Sequence, residues 1–179
     1  MEVITVAAQI LGIAGMALTV GSMQCRSNRN FFLCQEIAGG LFALSFIMLG
    51  AWSGALMNFF GIVRPELLRR KTLGKSVWTL TGLLFLLALC AAIVIFVFHE
   101  KWYLILLVAV AQTAGTYAMW TQKGKNMRLC QLYVVSPLWL TYNFLLPVPS
   151  IGGVLNELIS MGSSILALFR YRKNGFIES

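Results

Sequence analysis

The run Val77-Trp-Thr-Leu-Thr-Gly-Leu-Leu-Phe-Leu-Leu-Ala-Leu-Cys-Ala-Ala-Ile-Val-Ile-Phe-Val-Phe98 contains no charged residue in 22 positions. As a helix it would extend roughly 33 Å, enough to cross a hydrocarbon core of about 30 Å. Soluble core helices rarely need such a run, so the stretch reads as a transmembrane helix. The segments on either side of it resemble one another, and its parity as a single span sets their relative orientation.

Composition agrees with that reading. Of 179 residues, 59% are hydrophobic and 11% charged, where a globular domain carries about 25% charged residues. The sequence therefore describes an all-α integral membrane protein. Glu2 is the sole charge before Arg26, so the first apolar stretch lacks the basic leader of a cleavable signal peptide and is expected to be a retained span. The formal net charge of +8 sits in short clusters between apolar runs, which fits loops held against anionic lipid and gives no reason to expect nucleic acid. Cys25, Cys34, Cys90 and Cys130 show neither Cys-x-x-Cys spacing nor flanking histidines, so no disulfide framework, metal site or other cofactor is expected.

Outward from 77–98 the pattern predicts six further helices, over about 3–23, 31–49, 52–68, 102–120, 129–146 and 151–171. Thirteen of the fourteen Lys and Arg lie at the 1–2, 3–4 and 5–6 connections or near the C-terminus, with Lys101 on the opposite side. The positive-inside rule then places the N-terminus outside and the C-terminus in the cytoplasm of a multi-pass protein. Gln24 and Asn28 recur as Gln122 and Asn126 at a spacing of 98, Leu33-Cys34-Gln35 as Leu129-Cys130-Gln131 at 96, Phe42 as Trp139 at 97, and Asn58 as Asn156 at 98. These matches predict two three-helix units, 1–71 and 101–179, joined by a linker helix in 72–100. One intervening span makes the units parallel, in a 3+1+3 arrangement.

Intramembrane polar residues are the candidates for function. Glu157 lies six residues into helix 7, roughly 9 Å below its outer end, where a carboxylate is costly without a wet cavity or a partner. With Asn58 and Asn156, which offer donor and acceptor together, it would suit a small polar solute. Trp139 and Asn143 stand one turn apart and would line the same pocket. Glu36 and Arg64 would form a gate or a structural ion pair, and interhelical amides equally serve as packing glue. Trp52, Trp78, Trp102 and Trp120 fall at predicted helix ends, as interfacial anchors do. No His-Glu-x-x-His, catalytic triad pattern or phosphate-binding loop is present, which argues against an enzyme.

Lys123-Gly-Lys-Asn-Met-Arg128, Trp139, Tyr142-Asn-Phe144, Ser150-Ile-Gly-Gly153, Glu157 and Phe169-Arg-Tyr-Arg172 resemble the YgjV family of bacterial inner membrane proteins, over nearly the whole chain. That family is grouped with the SWEET and PQ-loop transporters, so the resemblance implies an inner-membrane location and a SWEET-like 3+1+3 fold. In SWEET transporters a midmembrane pocket is built from an Asn on the third helix and a Trp on the second helix of each unit. By position these would be Asn58, Asn156 and Trp139, with Phe42 in place of the second Trp. Phe42 lacks an indole donor, which weakens any expectation of a sugar. Pro137 matches one hinge proline, the pair Gly39 and Gly40 stands at its counterpart, and the PQ dipeptide is absent. The expected function is small-solute transport or facilitation by alternating access. A non-transporting receptor or assembly protein is the alternative, and a homo-oligomer is compatible with either.

Overall fold

The computed structural model describes residues 2–22, 28–69, 76–121 and 123–174. The loop residues Gln24, Cys25 and Arg26, the basic cluster Arg70, Lys71 and Lys75 with the 71/72 unit boundary, and Gln122 lie outside the described residues. Among the described residues every regular element is a helix: α1 Glu2–Ser22, α2 Asn28–Met48, α3 Trp52–Arg69, α4 Val77–Phe96, α5 Trp102–Trp120, α6 over 124–145, and α7 Ile151–Asn174. α6 is continuous but has three parts, Gly124–Cys130, a π-helical turn Gln131–Val135, and Ser136–Leu145.

Seven helices thus lie where seven spans were expected. By length and composition four stretches, Val3–Gly21, Val77–Phe96, Trp102–Trp120 and Ile151–Arg170, can each cross a membrane, while Leu33–Met48 is apolar but shorter. α3 contains Arg64 and an internal Pro65. α6 begins earlier than the apolar run predicts, at Gly124, so Lys125 and Arg128 are helical and not in a loop.

The outward surface is apolar. Val3, Ile10, Phe85, Phe96, Leu166 and Phe169 are all more than half exposed, an arrangement that water would disfavour and lipid accepts. Trp78 and Trp102 also point outward, as anchors would. Trp52 instead stacks on Phe98 at 4.4 Å, and Trp120 donates its indole N–H to the Ser76 carbonyl at 3.3 Å.

Helix packing follows chain order within each side: α1 on α2 and α2 on α3, then α5 on α6 and α6 on α7. The two sides meet where α1 packs on α7 and α3 on α5, and α4 lies against α3 and α5. At the α1/α7 crossing, a Cβ added to Gly152 would stand 2.3 Å from the Gly12 carbonyl carbon. Two glycines therefore bring the backbones together, the small-residue contact by which helices associate in lipid.

α2 ends because Gly50 adopts φ +71°. Its N–H donates to the Ile47 carbonyl and the Ala51 N–H to the Phe46 carbonyl, at 3.0 and 2.9 Å, which closes the helix in a Schellman motif. The next helix then starts within two residues, and its free N–H groups are satisfied from elsewhere in the fold. Ser53 N donates to Glu100 Oε2 at 2.8 Å, and Gly54 N to the Tyr142 hydroxyl at 2.8 Å. A carboxylate at this position also complements the positive end of the helix dipole. α7 is treated comparably: Ile151 N donates to Gln9 Oε1 at 2.9 Å, Gln9 Nε2 donates to the Pro149 carbonyl at 2.9 Å, and Gly153 N donates to Ser150 Oγ at 3.2 Å.

Tyr142 is fully buried and also bonds Ser53 Oγ at 2.9 Å. Tyr142→Phe removes both contacts and leaves a buried N–H unpaired. It is expected to cost about 1–2 kcal/mol, seen as a lower midpoint in thermal unfolding of the detergent-solubilised protein. An unchanged midpoint would show that water or another group satisfies Gly54.

Candidate functional site at the π turn of α6

Pro137 has no N–H and its ring would clash with the carbonyl four residues back, so an ordinary α-helix cannot run through it unperturbed. α6 widens just before it. The Ser136 N–H donates to the Gln131 carbonyl, five residues back, and Gln131 Nε2 reaches Ser136 Oγ at 2.9 Å across the same turn. Such π turns occur disproportionately at functional sites. Pro137, expected from the resemblance to be a hinge, thus follows directly on this turn, with the extra residue taken up ahead of it. Gly39 serves another purpose, since a Cβ there would lie 3.1 Å from Ile62 Cγ1, and Gly40 has open space.

Ser136 is completely buried and lies alongside the carboxylate of Glu157 on α7. Glu157 is itself buried. Its Oε1 accepts from Asn156 Nδ2 at 3.1 Å, whereas Glu157 Oε2 and Asn156 Oδ1 are buried without a hydrogen-bond partner. One turn toward the N-terminal end of α7, Asn143 donates to the Trp139 carbonyl at 2.8 Å, and its Oδ1 is likewise unpartnered. That oxygen lies against Gly153, where a Cβ would be 2.3 Å away. Three buried acceptor oxygens at the α6/α7 interface thus make no hydrogen bond, which is costly unless a proton, a ligand or a small shift of the neighbouring Ser136 hydroxyl completes them.

The remaining predicted residues are placed differently. Phe42 and Trp139 are buried in the core. Phe46 joins them, with ring centroids 6.5 Å from Phe42 and 6.1 Å from Trp139, and Tyr142 lies 5.4 Å from Trp139. These rings fill the space between α2 and α6 where a midmembrane pocket was expected. Asn58 is half-buried and donates back to the Gly54 carbonyl at 2.8 Å. The pairing expected between Glu36 and Arg64 is replaced: Arg64 Nη1 donates to Gln112 Oε1 at 2.8 Å and to Thr116 Oγ1 at 3.4 Å, both on α5. Gln112 in turn donates to the Met57 carbonyl at 3.0 Å. Glu36 is half-buried on α2.

Two surface grooves adjoin α7. One, of about 590 Å³, is lined by Leu132, Tyr133 and Pro137 of α6 and Met161, Ile165, Leu168 and Phe169 of α7. The other, about 320 Å³, lies between α1 and α7 beside Thr19, Ser160 and Ser163. Among the described residues no group of three or more His, Cys, Asp or Glu side chains could hold a metal ion.

A family model described as Imp-YgjV, bacterial inner membrane protein, matches residues 6–175. The chain belongs to the YgjV family. The match takes in the π turn, Glu157 and both sides of the helix packing, and with the apolar helices it makes this YgjV-family chain a multi-pass protein of the bacterial inner membrane. No curated protein and no solved structure matches it.

Sequence reasoning missed Ser136, Gln131, Gln112, Tyr142 and Gln9 as positioning groups. Gln112 was visible as an amide inside an apolar helix. Ser136 precedes a mid-helix proline, where a backbone irregularity should be expected.

Proposed function

We propose that this YgjV-family protein is a small-solute transporter or facilitator working by alternating access, with no catalysed reaction and no cofactor. The observation that carries the reading is the buried carboxylate of Glu157, one oxygen unpartnered, beside a π turn in a membrane helix. Intramembrane acids of this kind mark substrate and ion pathways. Asn156, Asn143 and Ser136 supply the polar groups around it, and Asn58 would join when the units part.

The architecture supports a mechanism. Exchanging the first three helices with the last three turns the α1/α7 contact into the α5/α3 contact, as a twofold axis between parallel units would. The caps obey the same exchange: α7 is capped by Gln9 on α1 and α3 by Glu100, just before α5. α4, packed on α3 and α5, would then be the linker of a SWEET-like 3+1+3 chain of seven spans, N-terminus outside and C-terminus cytoplasmic. Rocking one unit on the other would pass through the closed, aromatic-filled centre described above.

The test is flux into liposomes holding the purified protein, with a broad panel of labelled metabolites. Glu157→Gln is expected to reduce the transported solute's rate by about tenfold or more, a transition-state loss of roughly 1.4 kcal/mol, with thermal stability retained. Absence of flux for every solute would sink the reading. The filled centre favours the second reading, a non-transporting receptor, which predicts ligand-induced stabilisation without flux.

A further inference from the structure

The groove between α6 and α7 and the buried acid belong to one stripe. Glu157, Met161, Ile165 and Leu168 follow one another at spacings of four, four and three on α7, and the last three line the groove. On α6 the groove wall is Leu132, Tyr133 and Pro137, next in sequence to Gln131 and Ser136 of the π turn. The groove is thus a lipid-facing, apolar slot whose α7 wall begins at Met161, one turn from Glu157, whose Oε2 is buried without a hydrogen-bond partner. Its volume, about 590 Å³, is that of a small-molecule site.

We propose that this slot binds a lipophilic organic monocation, with the apolar body between α6 and α7 and the positive centre at Glu157. The inference rests on the transport reading for its purpose and names the class of solute that reading leaves open. An inorganic ion would need a polar approach to Glu157, whereas the groove walls are Leu, Pro, Met, Ile and Phe, with Tyr133. A cationic amphiphile partitions into the bilayer and can arrive sideways. An acyl chain could fill the slot but would leave the carboxylate oxygen unmet; a cation satisfies both halves.

Binding of radiolabelled tetraphenylphosphonium to the purified full-length protein in detergent tests this, with tetraphenylborate as a probe of like shape and opposite charge. Saturable binding of the phosphonium is expected, weakened about tenfold or more in Glu157→Gln and similarly in Ile165→Trp, which fills the groove from an outward-facing position that tolerates bulk. Thermal scans of both variants show whether the fold is kept, and binding is compared only for variants that keep it. Tetraphenylborate is expected not to bind. Equal binding of both probes, or phosphonium binding indifferent to Glu157→Gln, would mean simple partition into an apolar groove and overturn the proposal. Phosphonium bound without any solute flux would uphold this site and remove the transport reading. Solute flux dependent on Glu157 with no phosphonium binding would do the reverse.

Discussion

Gly152→Ala is expected to destabilise the protein by about 3 kcal/mol or more, whereas Gly162→Ala on the same helix is expected to leave it unchanged or slightly more stable. The added methyl at 152 would lie 2.3 Å from the Gly12 carbonyl carbon, 2.6 Å from its oxygen and 2.7 Å from the Ile13 nitrogen. All three are backbone atoms, so no rotamer change relieves the overlap and α1 must move off α7. That movement also strains the Gln9 bonds to Pro149 and Ile151, which cap α7 and tie it to α1. At Gly162 a Cβ meets nothing within 4 Å, and alanine's better helix propensity acts alone. Thermal unfolding in detergent reads both variants. Equal midpoints would mean that α1 and α7 do not cross at these glycines.

The helices were legible in the sequence because each apolar run is long enough to predict a helix and is bounded by charge or by Gly and Pro. α3, α4 and α5 begin at Trp52, Val77 and Trp102, as the residue pattern predicts. The start of α6 was not legible, since Lys125 and Arg128 read as loop when hydropathy is the guide, although helix ends tolerate basic side chains at the membrane surface. The functional candidates divide along a similar line. Glu157 stood out because a lone acid among apolar residues is costly wherever it lies. Its neighbours could not be read off, because Ser136 reaches it through a π turn whose register the sequence does not display. The central pocket was inferred from matched positions in two repeats. Matched position does not dictate side-chain direction: Asn58 and Asn143 both bond backbone within their own helix, while Phe42 and Trp139 join the core.

Arg64 shows how charge complementarity misleads in a membrane helix. The sequence offered Glu36 as its partner, but the guanidinium lies against α5, where Gly115 leaves it room, a Cβ there falling 3.2 Å from Nη1. Gln112 and Thr116 receive it, and its Nε is buried without a partner. A cation held by two neutral acceptors is marginally solvated, so the two partners should respond unequally to mutation. Gln112→Leu strands the charge with one long bond to Thr116, an expected loss of about 3–5 kcal/mol. Arg64→Met removes the charge together with its demand for solvation, and leaves one amide oxygen unpaired at about 1–3 kcal/mol. The double variant is expected to be more stable than Gln112→Leu alone, because an apolar pair of similar volume replaces a stranded charge. Thermal unfolding of the three variants decides it. Additive losses would show that Arg64 draws its stabilisation from elsewhere, by reaching water or lipid phosphate at the membrane surface.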